Sequence, residues 1–173
     1  MKSEERRRFR ILFVCEGNTC RSPMAEAALR AKVPKPLVQQ VEVLSAGLST
    51  FDGLPASEEA EFAAEKKGYD LTGHSSRQIN EHLVETSDLI LCMEPAQAQY
   101  LRDRFPGSAK RIHALRMFAG GVNEPIEDPY MKDLTAYIKT MALIDDELKR
   151  CRIKIWNMVR NQKENLRTLS DTQ

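Results

Sequence analysis

The apolar run Ile11-Leu12-Phe13-Val14 stops at Cys15, and Glu16-Gly17-Asn18-Thr19-Cys20-Arg21-Ser22-Pro23 follows at once, leading into a helical pattern. A chain with this succession has few options: a buried strand, a short loop and a helix start. Cys15 and Arg21 bracket five residues. A loop of that length curled around an anion aims backbone N–H groups, a guanidinium fork and a thiolate at one point. The succession predicts a phosphate-binding loop with a nucleophile in its floor.

Each loop residue has a reason. Gly17 permits a positive φ and close backbone approach, Asn18 tolerates the left-handed region, and Ser22-Pro23 supplies an N-cap followed by proline at the first helical position. The helix N-terminus, the loop amides and Arg21 are expected to lower the pKa of Cys15 from about 8.5 towards the ~3.5 to 7.5 range of activated cysteines. Taken singly, a strand-end cysteine is usually core and an arginine usually a surface charge. Jointly, Cys-x5-Arg-Ser after an apolar strand points to phosphoryl transfer through a phosphocysteine.

The 173 residues suit one domain, expected as a basic arm over 1–9, a catalytic core over 10–160 and a polar, fraying tail over 161–173. With 26 basic against 25 acidic side chains, nothing global points to nucleic acid. No apolar run approaches the ~18 residues of a membrane span, and Met1 to Arg8 has no apolar centre for a secretory signal, so a cytoplasmic protein is expected. Cys15, Cys20, Cys92 and Cys151 are too irregularly spaced for a disulfide scaffold or a metal site, and reduced thiols are expected with no metal and no cofactor. Arg6-Arg7-Arg8 is taken as a solvated arm without a role.

Along the chain, a first helix is predicted over Pro23 to Lys32, broken by Pro34 and Pro36, and then a strand over Val41-Glu42-Val43-Leu44. Ala56, Ala60, Ala63 and Ala64 make a small helical face closed by Gly68. Asn80 leads a short helix, Asp88 to Cys92 reads as a strand buried on both faces, Glu94-Pro95 starts a helix through Arg104, and Arg111 to Leu115 is a fourth strand. Gly120-Gly121 opens a mobile loop ending in Asp128-Pro129-Tyr130. From Leu134, the stripe Tyr137, Ile138, Met141, Ile144, Leu148, Cys151, Ile155 and Met158 describes one long helix, with Cys151 in the core. The architecture implied is a three-layer α/β sandwich on a four-stranded parallel sheet with right-handed crossovers. A phosphocysteine mechanism also needs a carboxylic acid to protonate the leaving group and then activate water. Asp52, Asp88, Glu127 and Asp128 all qualify by composition.

At these residues the sequence resembles the low-molecular-weight protein tyrosine phosphatase family. Ser45-Ala46-Gly47, Gly73 to Ile79, Asp88 to Met93 and Glu127-Asp128-Pro129-Tyr130 resemble the family's later landmarks in the family's order, over residues 10 to about 160. The resemblance implies the family's phosphatase I-like (flavodoxin-like) fold, with Cys15 as nucleophile, Arg21 as phosphate clamp and Asp128 as general acid. It places Glu16, Gly17, Asn18, Thr19, Cys20 and Ser22 around the phosphate, Phe51 and Tyr130 as cleft walls, and His74 behind the loop, orienting Asn18 and Ser22. It also supports Cys20 as a reversible disulfide partner that caps an oxidised Cys15. The implied partners are phosphorylated proteins, met as a monomer or weak dimer.

Two substrates stay open. Most tyrosine-directed members carry a bulky aliphatic residue where this chain has Thr19, and the protein arginine phosphatase branch has threonine there. Asp128-Pro129-Tyr130 resembles the tyrosine-directed members, and Glu16 departs from the neutral residue usual after the nucleophile. Two other classes fit less well. An arsenate reductase relays electrons through a pair of nearby downstream cysteines, and Cys92 and Cys151 fall in unrelated segments; a silent phosphate-binding module is expected to lack Cys15, Arg21 or Asp128.

Overall fold

The computed structural model describes residues 7–170. Strands β1 (Phe9–Cys15), β2 (Val41–Gly47), β3 (Leu89–Cys92) and β4 (Ile112–Ala114) form one parallel sheet in the order β2-β1-β3-β4. Successive β1 side chains point to opposite faces, so Ile11 and Phe13 enter one core while Leu12 and Val14 enter another. A strand with no polar face must be covered on both sides. Helices α1 (Arg21–Ala31), α2 (Glu58–Glu65) and α5 (Leu134–Ser170) cover the first face; α3 (Glu81–Thr86) and α4 (Pro95–Arg104) cover the second. This is the three-layer sandwich expected. Each fully buried Leu, Ile or Phe side chain contributes about 1.5–3 kcal/mol to holding the layers together.

The order of strands decides where chemistry can occur. From β1 the chain steps to β2 on one side and later to β3 on the other, so a crevice opens at the carboxyl end of β1, where such folds bind ligands. Segments following β1, β2 and β4 line that crevice, and Glu94, after β3, binds the Arg21 in its floor.

Several boundaries differ from the expectations. Helix α1 begins at Arg21 and not Pro23, with Cys20 in the N-cap position and no side-chain cap; Ser22 cannot cap because its hydroxyl faces Cys15 and Asn18. Strand β2 runs on to Gly47, since every residue of β1 finds a partner, ending with Cys15 opposite Gly47. Asp88 lies outside β3 and accepts from the Arg10 amide at 2.8 Å. Arg111 belongs to a 3₁₀ turn and Leu115 lies beyond β4. In α5, Ile138 is exposed and Met158 half-buried, while Trp156 and Val159 are buried. The fraying expected beyond Val159 is not seen within the described part of the tail, because α5 has no Gly or Pro to stop it before Ser170. Of the basic arm, Arg6 lies outside the described residues, and Arg7 is not merely solvated but pairs with Asp88. Among the described residues, no helix is long and apolar enough to cross a membrane.

Candidate active site

Cys15 ends β1 almost completely buried, with Ser22 Oγ 2.9 Å from its sulfur and the Asn18 amide donating to it at 3.2 Å. The loop turns at Asn18, whose φ of 53° lies in the left-handed region. Gly17 does not have a positive φ, contrary to expectation, so the turn falls to the asparagine because only its side chain can also brace the loop. Asn18 Nδ2 donates to Ser22 Oγ (2.8 Å) and Ser45 Oγ (2.9 Å), and its Oδ1 accepts from the Arg77 amide (2.9 Å). His74 Nε2 sits 2.7 Å from the Asn18 carbonyl, to which it must be the donor. His74 therefore holds the backbone of Asn18 and reaches Ser22 only through it. Ser45, whose hydroxyl donates to Glu26, is a support that sequence reasoning named only as a landmark.

The expectation of a lowered Cys15 pKa is corrected. Burial pushes the thiol up, against the Ser22 hydroxyl, the charge of Arg21 and the Ser22 and Asn18 amides, which pull it down. The neighbouring charges favour the thiolate, and the depth of the sulfur opposes it.

Arg21 is 1% exposed and its fork is engaged on both arms. Nη1 donates to Glu94 Oε1 (2.6 Å) and to the Ile126 carbonyl (2.8 Å); Nη2 donates to Asp128 Oδ2 (2.7 Å). Its Nε has no hydrogen-bond partner among the described residues. Burial opposes its charge, but Cys15 and the two carboxylates outweigh it and raise its pKa. Glu94 was read only as a helix start, although an acidic residue at the carboxyl end of a central strand was the available signal.

The crevice is a cleft of about 650 Å³ with Cys15 and Arg21 in its floor and Glu16, Gly17, Thr19 and Cys20 around it. Phe51 and Tyr130 stand 82% and 66% exposed on its two sides, and Asp128 lines it beside Tyr130. Phe51 is held out by its backbone: Ser76 Oγ donates to its carbonyl at 2.6 Å, and Gln78 Oε1 accepts from the Thr50 amide at 2.9 Å. Gln78 also lines the cleft, a position sequence reasoning left without a role. The Cys20 sulfur lies 3.7 Å from Tyr137 Oη, 3.5 Å from Ser57 Oγ and 3.7 Å from Thr19 Oγ1.

A family model described as low molecular weight phosphotyrosine protein phosphatase matches residues 10–164. The chain belongs to this family. It is 39% identical over 137 residues to the probable low molecular weight protein-tyrosine-phosphatase EpsP of Ralstonia nicotianae, covering 78% of this chain and 87% of that one. Among solved structures it is similar to the YwlE arginine phosphatase of Geobacillus stearothermophilus (32% identity, TM-score 0.79, 87% and 94% of the two chains). It is similar too to the low molecular weight protein tyrosine phosphatase of T. tengcongensis (36% identity, TM-score 0.77, 84% and 98%). The family thus includes relatives named for tyrosine and for arginine.

Within that family frame the rival carboxylates are sorted by place. Asp88 lies at the opposite end of the sheet beside Arg10, Asp52 is occupied by the Gln78 amide at 2.7 Å, and Glu127 faces a separate hollow against α5. Asp128 alone of the four lines the cleft, its side chain 42% exposed and its Oδ1 accepting from the Tyr130 amide at 3.1 Å.

Proposed function

We propose that the protein hydrolyses phosphotyrosine on proteins through a phosphocysteine formed on Cys15. The observation that carries this reading is the state of Arg21: a buried guanidinium with one N–H free of acceptors among the described residues and another held by Asp128. A phosphate entering the cleft takes Nε and competes for Nη2, so the substrate that binds also releases Asp128 towards its leaving group. The Cys15 thiol proton passes to the Asp128 carboxylate as Arg21 Nη2 lets it go; the sulfur attacks phosphorus, the phosphorus–oxygen bond to the side chain breaks, and Asp128 gives that proton to the departing phenolate. In the second step the Asp128 carboxylate takes a proton from water, which attacks the phosphocysteine and returns inorganic phosphate and the thiolate. Ser22 Oγ stabilises that thiolate, and Arg21 with the loop amides stabilises the phosphoryl charge.

Phosphoarginine is the second reading, favoured by the resemblance of Thr19 to the arginine-directed branch and by its half-buried place in the lining of the cleft. Parallel assays on phosphotyrosine and phosphoarginine peptides test the two. Thr19→Ile is expected to shift the kcat/KM ratio towards phosphotyrosine by ~10 to 200-fold, leaving inhibition by inorganic phosphate unchanged. An unchanged ratio removes Thr19 as the selector. Arsenate reduction is disfavoured because Cys92 and Cys151 are buried in opposite cores. The reading implies a cytoplasmic enzyme acting on phosphorylated proteins as a monomer or weak dimer.

A further inference from the structure

Residues 115–133 carry Asp128 from β4 to α5, and they hold few apolar anchors apart from Leu115, Phe118 and Ile126. The polar anchoring of their first half is supplied largely by one turn of α5. Arg150 Nη1 donates to the carbonyls of Phe118 (2.8 Å) and Ala119 (3.2 Å), and its Nη2 reaches those of Leu115 (3.4 Å) and Arg116 (3.3 Å). Glu147, nearly buried, accepts from Arg150 Nε (2.8 Å) and from Arg116 Nε (3.3 Å), so one carboxylate joins helix and loop. Arg116 Nη1 then holds Glu124 (2.7 Å) and the Pro125 carbonyl (3.4 Å). The next residue, Ile126, is tied to the floor of the site, its amide on Met93 O (2.8 Å) and its carbonyl on Arg21. The loop crosses this brace so closely that a Cβ at Gly121 would lie 1.9 Å from the Arg116 carbonyl and 2.6 Å from Arg150 Nη2.

We propose that Glu147, Arg150 and Arg116 are positioning residues for the general acid, fixing the distance at which Asp128 meets the leaving group. The proposal rests on the phosphatase reading above. A buried carboxylate joining two guanidinium groups is a costly device for stability alone, since apolar packing does as well. It is effective for geometry, because each fork fixes the orientation of the carbonyls it binds. Misplacing a catalytic group by about 1 Å can cost ~100-fold in rate.

The test is a series of aryl phosphates of rising leaving-group pKa, from para-nitrophenyl phosphate to phenyl phosphate, with inorganic phosphate as inhibitor. Arg150→Met is expected to slow phenyl phosphate by ~10-fold or more and para-nitrophenyl phosphate by under ~3-fold, with unchanged phosphate inhibition and partial rescue by Arg150→Lys. Arg116→Gln, which keeps the Arg150 fork and its four carbonyls, is expected to give the same leaving-group dependence if Arg150→Met folds poorly. Equal slowing across the series in Arg116→Gln, or a fall in thermal stability with an unchanged series, overturns the proposal. Wild-type protein inactive on every aryl phosphate overturns instead the phosphatase reading on which it rests.

Discussion

The two loops that meet in the cleft are built on opposite plans. The Cys15–Ser22 loop is braced mostly from within and from its nearest strand: Asn18 and Ser22 bind each other and Cys15, Ser45 of the adjoining β2 adds a further bond, and His74 and the Arg77 amide reach Asn18 from farther along the chain. The Asp128 loop is longer, and its backbone is held by a helix that comes later in the chain and by Arg21 of the first loop. An element that folds from local contacts announces itself in a short motif, whereas one placed from a distance does not. The expected mobile loop after Gly120-Gly121 is accordingly found tied at both ends, by Arg150 at its start and by Arg21 near its finish.

The largest effect should come from the Cys15–Ser22 loop. Cys15→Ser is expected to leave under ~1% of wild-type turnover while retaining affinity for a phosphopeptide, because Arg21 and the loop amides remain. Turnover above that level places the nucleophile elsewhere. Next comes Asp128. Asp128→Asn should slow poor leaving groups by ~100-fold and para-nitrophenyl phosphate much less, since an easily expelled phenolate needs little protonation. Uniform slowing would show that Asp128 serves Arg21 and not the leaving group.

Glu94 sharpens the contrast, because it binds Arg21 and not Asp128. Glu94→Gln is expected to lower kcat/KM by ~10-fold and alter inhibition by inorganic phosphate, with no change in leaving-group dependence. A leaving-group effect in that variant would mean that the two loops act as one unit.

The smallest effect on activity is expected from Asp145, a buried α5 carboxylate outside both loops, held by Lys32 (2.5 Å), Tyr69 (2.5 Å) and Lys149 (2.7 Å). These partners outweigh its burial and keep its carboxyl well below the usual carboxylate range. A depressed acid contributes stability that is complete above its unfolded pKa and lost as pH falls through the folded one. Asp145→Asn should therefore cost about 3 kcal/mol at neutral pH, less than a fully buried pair because Lys149 is half exposed, and flatten the acid side of the stability profile. Thermal melts across pH check this, with activity per folded molecule unchanged. A drop in that activity would bring α5 as a whole into the active site.

The strand–loop–helix at Cys15, the parallel sheet, the three layers and the long last helix were all legible, because period, apolar runs and turn residues are local properties of a chain. The cleft-forming loop of Phe51 and the position of Asp128 were legible only through resemblance; Asp-Pro is ordinary turn chemistry, and three other carboxylates competed with it.

What the sequence determined by itself is the strand–loop–helix from Cys15 to Arg21, and the layered fold that carries it. Only the tertiary structure decided that Ser22 braces Cys15 in place of capping α1, that the thiol's burial outweighs its neighbouring charges, and that Glu94 shares Arg21 with Asp128. Glu147, Arg150 and Arg116 belong to the same class. Each of these depends on depth or on a partner many residues away. Desolvation and long-range ion pairing have no period and no spacing in a sequence; they exist once the layers have closed.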